Sequence, residues 1–127
     1  MPRLEHAALW TPDLERARAF YETYFDATAG EKYVNPDTDF SSYFLTFDDG
    51  ARLELMHTPG LAAAAEHPAV GYAHVAIAVG SAARVDRLTA RLRDDGVPVL
   101  GGPRRTGDGY YESVVADPDG NRVEITA

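Results

Sequence analysis

The 127-residue chain has no cysteine. Disulfides, thiol nucleophiles and thiolate metal sites are excluded together, so any bound metal must be held by nitrogen and oxygen. Lysine is nearly missing too: Lys32 stands alone, and arginine supplies the other basic side chains. With a net charge of −8 there is no basic face for a phosphate backbone, and nucleic acid is not expected as a partner. Such a field favours solubility and would attract a cationic ligand. No apolar run approaches the ~20 residues that cross a bilayer, so no membrane span is expected. The most apolar piece, "HVAIAVG" at His74–Gly80, is only strand-sized. The opening "MPRLEHAALW" has an early acidic residue and no long apolar segment. No signal peptide is read there, and a cytoplasmic location is the expectation. What the chain does have is a 45% apolar fraction, enough for the core of one domain.

The chain also repeats itself. "DDGARLELM" at Asp48–Met56 returns as "PDGNRVEIT" at Pro118–Thr126. Each has a turn, an arginine, and then a glutamate between aliphatic residues. These are the ends of two longer similar units, at about 3–57 and 71–126. The first opens with the strand "LEHAALW". Thr11 is a plausible helix N-cap with Pro12 at the first helical position. "PDLERARAFYETYF" then spaces Leu14, Ala17, Phe20, Tyr21 and Tyr24 at helical period. A polar stretch with "NPDTD", the strand "SSYFLTF", a "DDG" hairpin turn and the strand "ARLELM" follow. The second unit opens with "YAHVAIAV". Ser81 caps the helix "AARVDRLTARLRDDG", whose Val85, Leu88 and Leu92 share a face, and Gly96 stops it. "VPVL" is a short strand, "GGPRRTGDG" a loop, and "YYESVVA", "DPDG" and "NRVEIT" close the unit. Each unit reads strand, helix, strand, strand, strand. In the linker "HTPGLAAAAEHPAV", the piece "LAAAAE" is able to form a helical turn. A unit this short buries too little surface alone, so the two are expected to share one domain or to pair across a dimer.

Registration of the repeat singles out four residues. Aligning the opening strands puts His6 on His74, and aligning the closing strands puts Glu54 on Glu124; the pairs stand 48 and 50 residues apart. Strand alternation sends Leu53 and Leu55 to one face and Arg52, Glu54 and Met56 to the other. Val123 and Ile125 likewise oppose Arg122, Glu124 and Thr126. The aliphatic faces suit a packed helix, and the glutamate faces a partly polar concavity. Taken singly, a strand glutamate or histidine reads as an edge or solvated residue. Taken together, two imidazoles and two carboxylates would balance a divalent cation, which removes the cost of burying unpaired carboxylates. A sulfur-free N2O2 set suits Zn, Ni, Mn, Fe or Co with water completing the shell. His57 and His67 read as structural or solvent-exposed. Trp10, Tyr43, Phe44, Tyr110 and Tyr111 are candidates to line an apolar substrate pocket, against core packing as the plainer role. Of these, Trp10, Phe44 and Tyr111 are the pocket residues expected.

The segments "LEHAALWTPDLERARAFYETYF", "RLELM", "YAHVAIAVG" and "DPDGNRVEIT" cover most of the chain and resemble the vicinal oxygen chelate superfamily. That group includes glyoxalase I, extradiol dioxygenases, and fosfomycin- and bleomycin-resistance proteins. The resemblance implies an α+β fold of two βαβββ modules in one domain over residues 1–127, with curved mixed sheets around a metal-binding cavity. His6, Glu54, His74 and Glu124 each match a metal-ligand position of glyoxalase I. It further implies a metal-dependent lyase or isomerase acting on a small molecule with vicinal oxygens. The metal would stabilise an enediolate, and Glu124 matches the glutamate that leaves the metal to act as base, with Glu54 the second catalytic carboxylate. A homodimer is also implied, with the metal's ligands drawn from one chain or from both. Trp10 replaces the family's arginine four residues after the first histidine, and Thr58 its asparagine four after the first glutamate. Both departures weaken the implication of glutathione. Two alternatives remain: a resistance protein that sequesters an antibiotic or metabolite, and an Fe(II) dioxygenase using three of the four ligands.

Overall fold

The structure is a computed structural model and describes residues Met1–Ala127. The chain divides into two compact units, Met1–Ala63 and Ala64–Ala127, and one repeat falls in each.

The first unit comprises β1 (His6–Trp10), α1 (Leu14–Phe25), β2 (Thr28–Ala29), β3 (Tyr33–Asn35), β4 (Phe40–Thr46) and β5 (Arg52–His57). Its sheet runs β1-β5-β4-β2, with β3 also on β4. β1 is parallel to β5, and the other pairings are antiparallel. The alternation in "RLELM" sorts the faces as expected: Leu53 and Leu55 are 5% and 0% exposed. They pack with Tyr43 and Leu45 under the buried stripe Leu14, Ala17, Tyr21 and Phe25 of α1. Phe25 closes that stripe where Tyr24 was expected, and Tyr24 is only half-buried.

The α1 cap lies two residues later than the spacing predicts. The Thr11 N–H donates to the Met56 carbonyl at 2.8 Å, which keeps Thr11 in the strand ladder. Asp13 becomes the N-cap, its carboxylate accepting the Arg16 N–H at 3.0 Å. The fully buried Thr11 hydroxyl instead accepts the Asp13 N–H at 3.1 Å. The stretch around "NPDTD" is a hairpin between β3 and β4. Asn35 accepts the Asp37 N–H at 3.0 Å, and Asp39 takes a left-handed conformation at φ 57.

The second unit comprises β6 (His74–Ala78), α2 (Ala82–Asp94), β7 (Val99–Arg105), β8 (Tyr111–Ala116) and β9 (Arg122–Thr126), in sheet order β6-β9-β8-β7. β6 and β9 are parallel, in the register of β1 and β5. Ser81 caps α2, accepting the Arg84 N–H at 3.2 Å, and Gly96 ends it at φ 83. Val85, Thr89 and Leu92 are fully buried over Ser113, Val115, Val123 and Ile125, while Leu88 is only half-buried. Thr89 is polar yet satisfied: its hydroxyl donates to the Val85 carbonyl at 2.6 Å and lies 2.7 Å from Ser113 Oγ.

Two loop expectations are corrected. Most of "GGPRRTGDG" is strand, since β7 continues to Arg105 and only Thr106–Tyr110 turns. The register shifts around Gly101, and these bulges accommodate the glycines and Pro103 on an edge strand. A Cβ on Gly102 would sit 2.6 Å from the Glu112 carbonyl oxygen, so the strands approach too closely there for any side chain. "LAAAAE" forms no helix. No helix of the chain is long and apolar enough to cross a membrane.

Candidate functional site

In the first unit the parallel register sets His6 beside Arg52 and Ala8 beside Glu54. His6 and Glu54 therefore lie diagonally on the sheet face away from α1. His6 Nε2 is 3.7 Å from Glu54 Oε1, with the side chains 40% and 15% exposed. Glu5 Oε2 reaches the other imidazole nitrogen, Nδ1, at 3.3 Å. Arg52 grips the same Glu5 carboxylate: its Nε donates at 3.2 Å and its Nη2 binds the second oxygen. That guanidinium holds the Glu5 carboxyl below the usual carboxylate range, and Glu5 raises Arg52 in turn. Arg52 also stacks 4.2 Å over the Phe44 ring, whose neighbour edge-on at 5.3 Å is His6 itself. Phe44 stands opposite Glu54 in the ladder.

The second unit repeats the register. His74 lies beside Arg122 and Ala76 beside Glu124. His74 Nε2 is 3.2 Å from Glu124 Oε2, with the side chains 40% and 20% exposed. The surroundings differ, however. Ala73 occupies the position of Glu5, and Val114, opposite Glu124, that of Phe44. Glu112 enters from β8 on the sheet face of Glu124. Desolvation first, and then Glu124, push the Glu112 carboxyl above the usual range.

Each unit thus brings together one imidazole and one carboxylate. No group of three or more histidine, aspartate and glutamate side chains able to hold a metal forms. The donor chemistry fits a divalent cation nonetheless. Neighbouring ligands at about 2.1 Å from one ion lie roughly 3.0–3.4 Å apart. The 3.2 Å pair falls in that range and the 3.7 Å pair lies just outside it.

Of the expected pocket residues, Trp10 shares the face of His6, is half-exposed and packs edge-on against Phe40 at 6.2 Å. Phe44 lies against His6. Tyr111 departs from the expectation. It has the strand parity of Ser113 and Val115, so it faces α2, where its hydroxyl donates to Asp86. It stands on the opposite side of its sheet from Glu124. Tyr43 also lies on the helix side and donates to Glu15 at 2.9 Å, and Tyr110 is exposed in the β7–β8 turn. His57 donates from Nδ1 to the Thr11 carbonyl at 2.9 Å and borders a cleft of about 260 Å³ beside the start of α1, away from Glu54. His67 is exposed. Glu5, Arg52 as its clamp, and Glu112 were not singled out by the spacing. The hairpin register around "DPDG" was the available signal for Glu112.

Comparison with known proteins is consistent with this layout. The family model of the Glyoxalase/Bleomycin resistance protein/Dioxygenase superfamily matches residues 3–125. The chain is 34% identical over 106 residues to an ethylmalonyl-CoA/methylmalonyl-CoA epimerase of Cereibacter sphaeroides, covering 78% of this chain and 75% of that one. It is 40% identical over 58 residues to the mitochondrial methylmalonyl-CoA epimerase of Bos taurus. That second match takes in 46% of this chain and only a third (33%) of the bovine protein. Among solved structures, the trypanothione-dependent glyoxalase I of Leishmania major superposes with a TM-score of 0.80 at 26% identity, over 99% of this chain and 86% of that one. A lactoylglutathione lyase of Agrobacterium tumefaciens gives 0.70 at 28%, over 97% and 91%. By its matched residues, its repeat and its fold, the chain belongs to the Glyoxalase/Bleomycin resistance protein/Dioxygenase superfamily.

Proposed function

We propose that the protein is a metal-dependent isomerase that moves a proton at a carbon next to a carbonyl, in a small molecule offering two oxygens to one cation. The observation that carries this reading is the pair of histidine–glutamate couples, His6 with Glu54 and His74 with Glu124, in identical strand register. Two protein donors hold a divalent ion weakly. A first-unit couple joined with a second-unit couple, from one chain or from two copies in a homodimer, makes a four-donor N2O2 shell suited to Zn, Ni, Co, Mn or Fe. The bound cation would supply positive charge for the oxyanion that develops on the substrate.

Glu124 is the proposed base. Its carboxylate takes the proton from carbon, the C–H electron pair becomes a carbon–carbon double bond, and the carbonyl π pair moves onto the oxygen. Protonation of the same carbon from the opposite face by a second acid, for which Glu54 is the proposed group, is epimerisation, and delivery of the proton by Glu124 to the neighbouring carbon is a glyoxalase-type isomerisation. Trp10 and Phe44, on the face of His6, are the residues proposed to exclude water. The likeness to epimerases supports an acyl thioester as substrate, and the likeness to glyoxalase I supports a hemithioacetal.

The test has two steps. Metal analysis after reconstitution should find a bound divalent ion, and its absence would overturn the reading. The loaded protein should then exchange the substrate carbon proton for solvent deuterium, with either methylmalonyl-CoA or the hemithioacetal of methylglyoxal. Glu124→Gln should cut that exchange at least a hundredfold, within the range general-base catalysis supplies, roughly 10²–10⁴-fold. Full exchange by the variant would remove Glu124 as the base. Oxygen consumption, or ligand retention without turnover, would replace the isomerase by a dioxygenase or a sequestering protein.

A further inference from the structure

The two halves of the repeat keep the same histidine and glutamate but treat the imidazole differently. Around His6 the contacts form a closed ring. Glu5 meets Nδ1 at 3.3 Å, Arg52 grips Glu5, Arg52 stacks on Phe44 at 4.2 Å, and Phe44 returns edge-on to His6 at 5.3 Å. Around His74 the ring is absent, because the matching positions hold Ala73 and Val114. The nearest carboxylates also meet opposite nitrogens. For His6 the closer is Glu5 at Nδ1, with Glu54 at 3.7 Å from Nε2. For His74 it is Glu124, 3.2 Å from Nε2.

We infer that Glu5, clamped by Arg52 over Phe44, is a positioning residue that fixes His6 in its Nδ1–H tautomer and presents the bare Nε2 lone pair to a metal. A carboxylate accepting from one imidazole N–H decides which nitrogen keeps its lone pair and also sets the ring's orientation. The bidentate fork of arginine sets the carboxylate, and the planar stack on Phe44 sets the arginine. The first unit therefore offers a ready imidazole ligand. At His74 the nearest carboxylate, Glu124, lies 3.2 Å from Nε2 itself, so a proton held there must leave before that nitrogen can bind. The inference rests on the proposed metal site for its purpose, and on the ring of contacts alone for its structural claim.

Long-range nitrogen–proton correlation spectra of the metal-free protein, at mildly alkaline pH where imidazoles are neutral, read both tautomers at once, so His74 is the internal control. His6 should be Nδ1–H and His74 Nε2–H. The exposed substitution Glu5→Gln should move the His6 signals toward the His74 pattern, and Glu5→Asp should restore part of the difference. Metal competition should then show Glu5→Gln binding about 10–100-fold more weakly, the usual effect of losing such a carboxylate. Identical tautomers in the wild-type protein, or a His6 pattern untouched by Glu5→Gln, would overturn the inference. So would a changed tautomer with unchanged metal affinity. If the wild-type protein binds no metal, the metal reading fails, and the tautomer comparison still decides the role of Glu5.

Discussion

The buried hydroxyl pair between α2 and β8 yields a prediction with a definite sign. Thr89 is 0% exposed and Ser113 1%, and their oxygens are 2.7 Å apart. A hydroxyl has one proton. Thr89 spends its own on the Val85 carbonyl at 2.6 Å, so Ser113 must be the donor to Thr89. Thr89→Val preserves volume but leaves the Ser113 O–H without its acceptor. Stranding a buried donor costs about 1–3 kcal/mol, offset in part by the extra buried methyl, for a net loss of about 1–2 kcal/mol. Ser113→Ala alone removes a donor and leaves Thr89 still bonded to Val85, costing about 1 kcal/mol. With both replaced, no polar group is stranded, and such paired replacements are close to neutral. Ser113→Ala should therefore stabilise the Thr89→Val protein while destabilising the wild type. The expected coupling is about 1.5 kcal/mol or more, well above the roughly 0.3–0.5 kcal/mol scatter of additive sites. Urea denaturation of the four proteins followed by circular dichroism, with constant m-values, measures it. If Ser113→Ala costs the same in both backgrounds, the donor assignment is wrong.

Two further outcomes follow from other packing details. The Tyr43 hydroxyl, then Arg18 and Lys32, hold the Glu15 carboxyl below its usual range. Its stabilising contribution is then present above the unfolded-state value and lost as pH falls through the folded-state value. Glu15→Gln should lower stability at neutral pH by about 1 kcal/mol, discounted because the side chain is 52% exposed. The deficit should close in acid, below about pH 4. Melting curves across pH for both proteins check this, and a deficit that persists in acid would contradict it. Gly102→Ala should cost more than about 2 kcal/mol, since its Cβ would meet the backbone of Glu112 and Ser113 at 2.6 and 3.0 Å on a residue at φ +76. Near wild-type melting would mean that β7 and β8 separate more easily than the packing implies.

How much of this was readable in the chain depends on whether a residue's role is local. Leu53, Leu55, Val123 and Ile125 declare their burial by alternation alone, and the His–Glu register follows from aligning the two repeats. Ser81 was readable as a cap because nothing else competes for it. Thr11 was not, because Met56, 45 residues on, takes its N–H and holds it in the ladder. The glycines and proline of β7 read as a loop because the bulge that accommodates them is set by β8. Tyr111 was misread although its parity with Val115 was visible. Glu5 carries no pattern of its own, since its meaning lies in Arg52, 47 residues on.

The repeat also bears on why one glutamate, and not the other, is proposed as the base. Glu54 and Glu124 have the same register, so backbone geometry cannot distinguish them. Their neighbours do. Opposite Glu54 the ladder presents Phe44, which meets His6 in an edge contact and carries Arg52 over its ring. Opposite Glu124 it presents Val114, and Glu112 on the same strand is a neighbouring carboxyl raised above the usual range by desolvation first and then by Glu124. A carboxylate that is to leave a cation and handle a proton needs a second polar partner, because an unpaired charge in a water-poor site is costly. Glu112 offers one to Glu124, and the aromatic wall offers none to Glu54. The first unit surrounds its imidazole with Glu5, Arg52 and Phe44, and the second sets Glu112 beside its carboxylate.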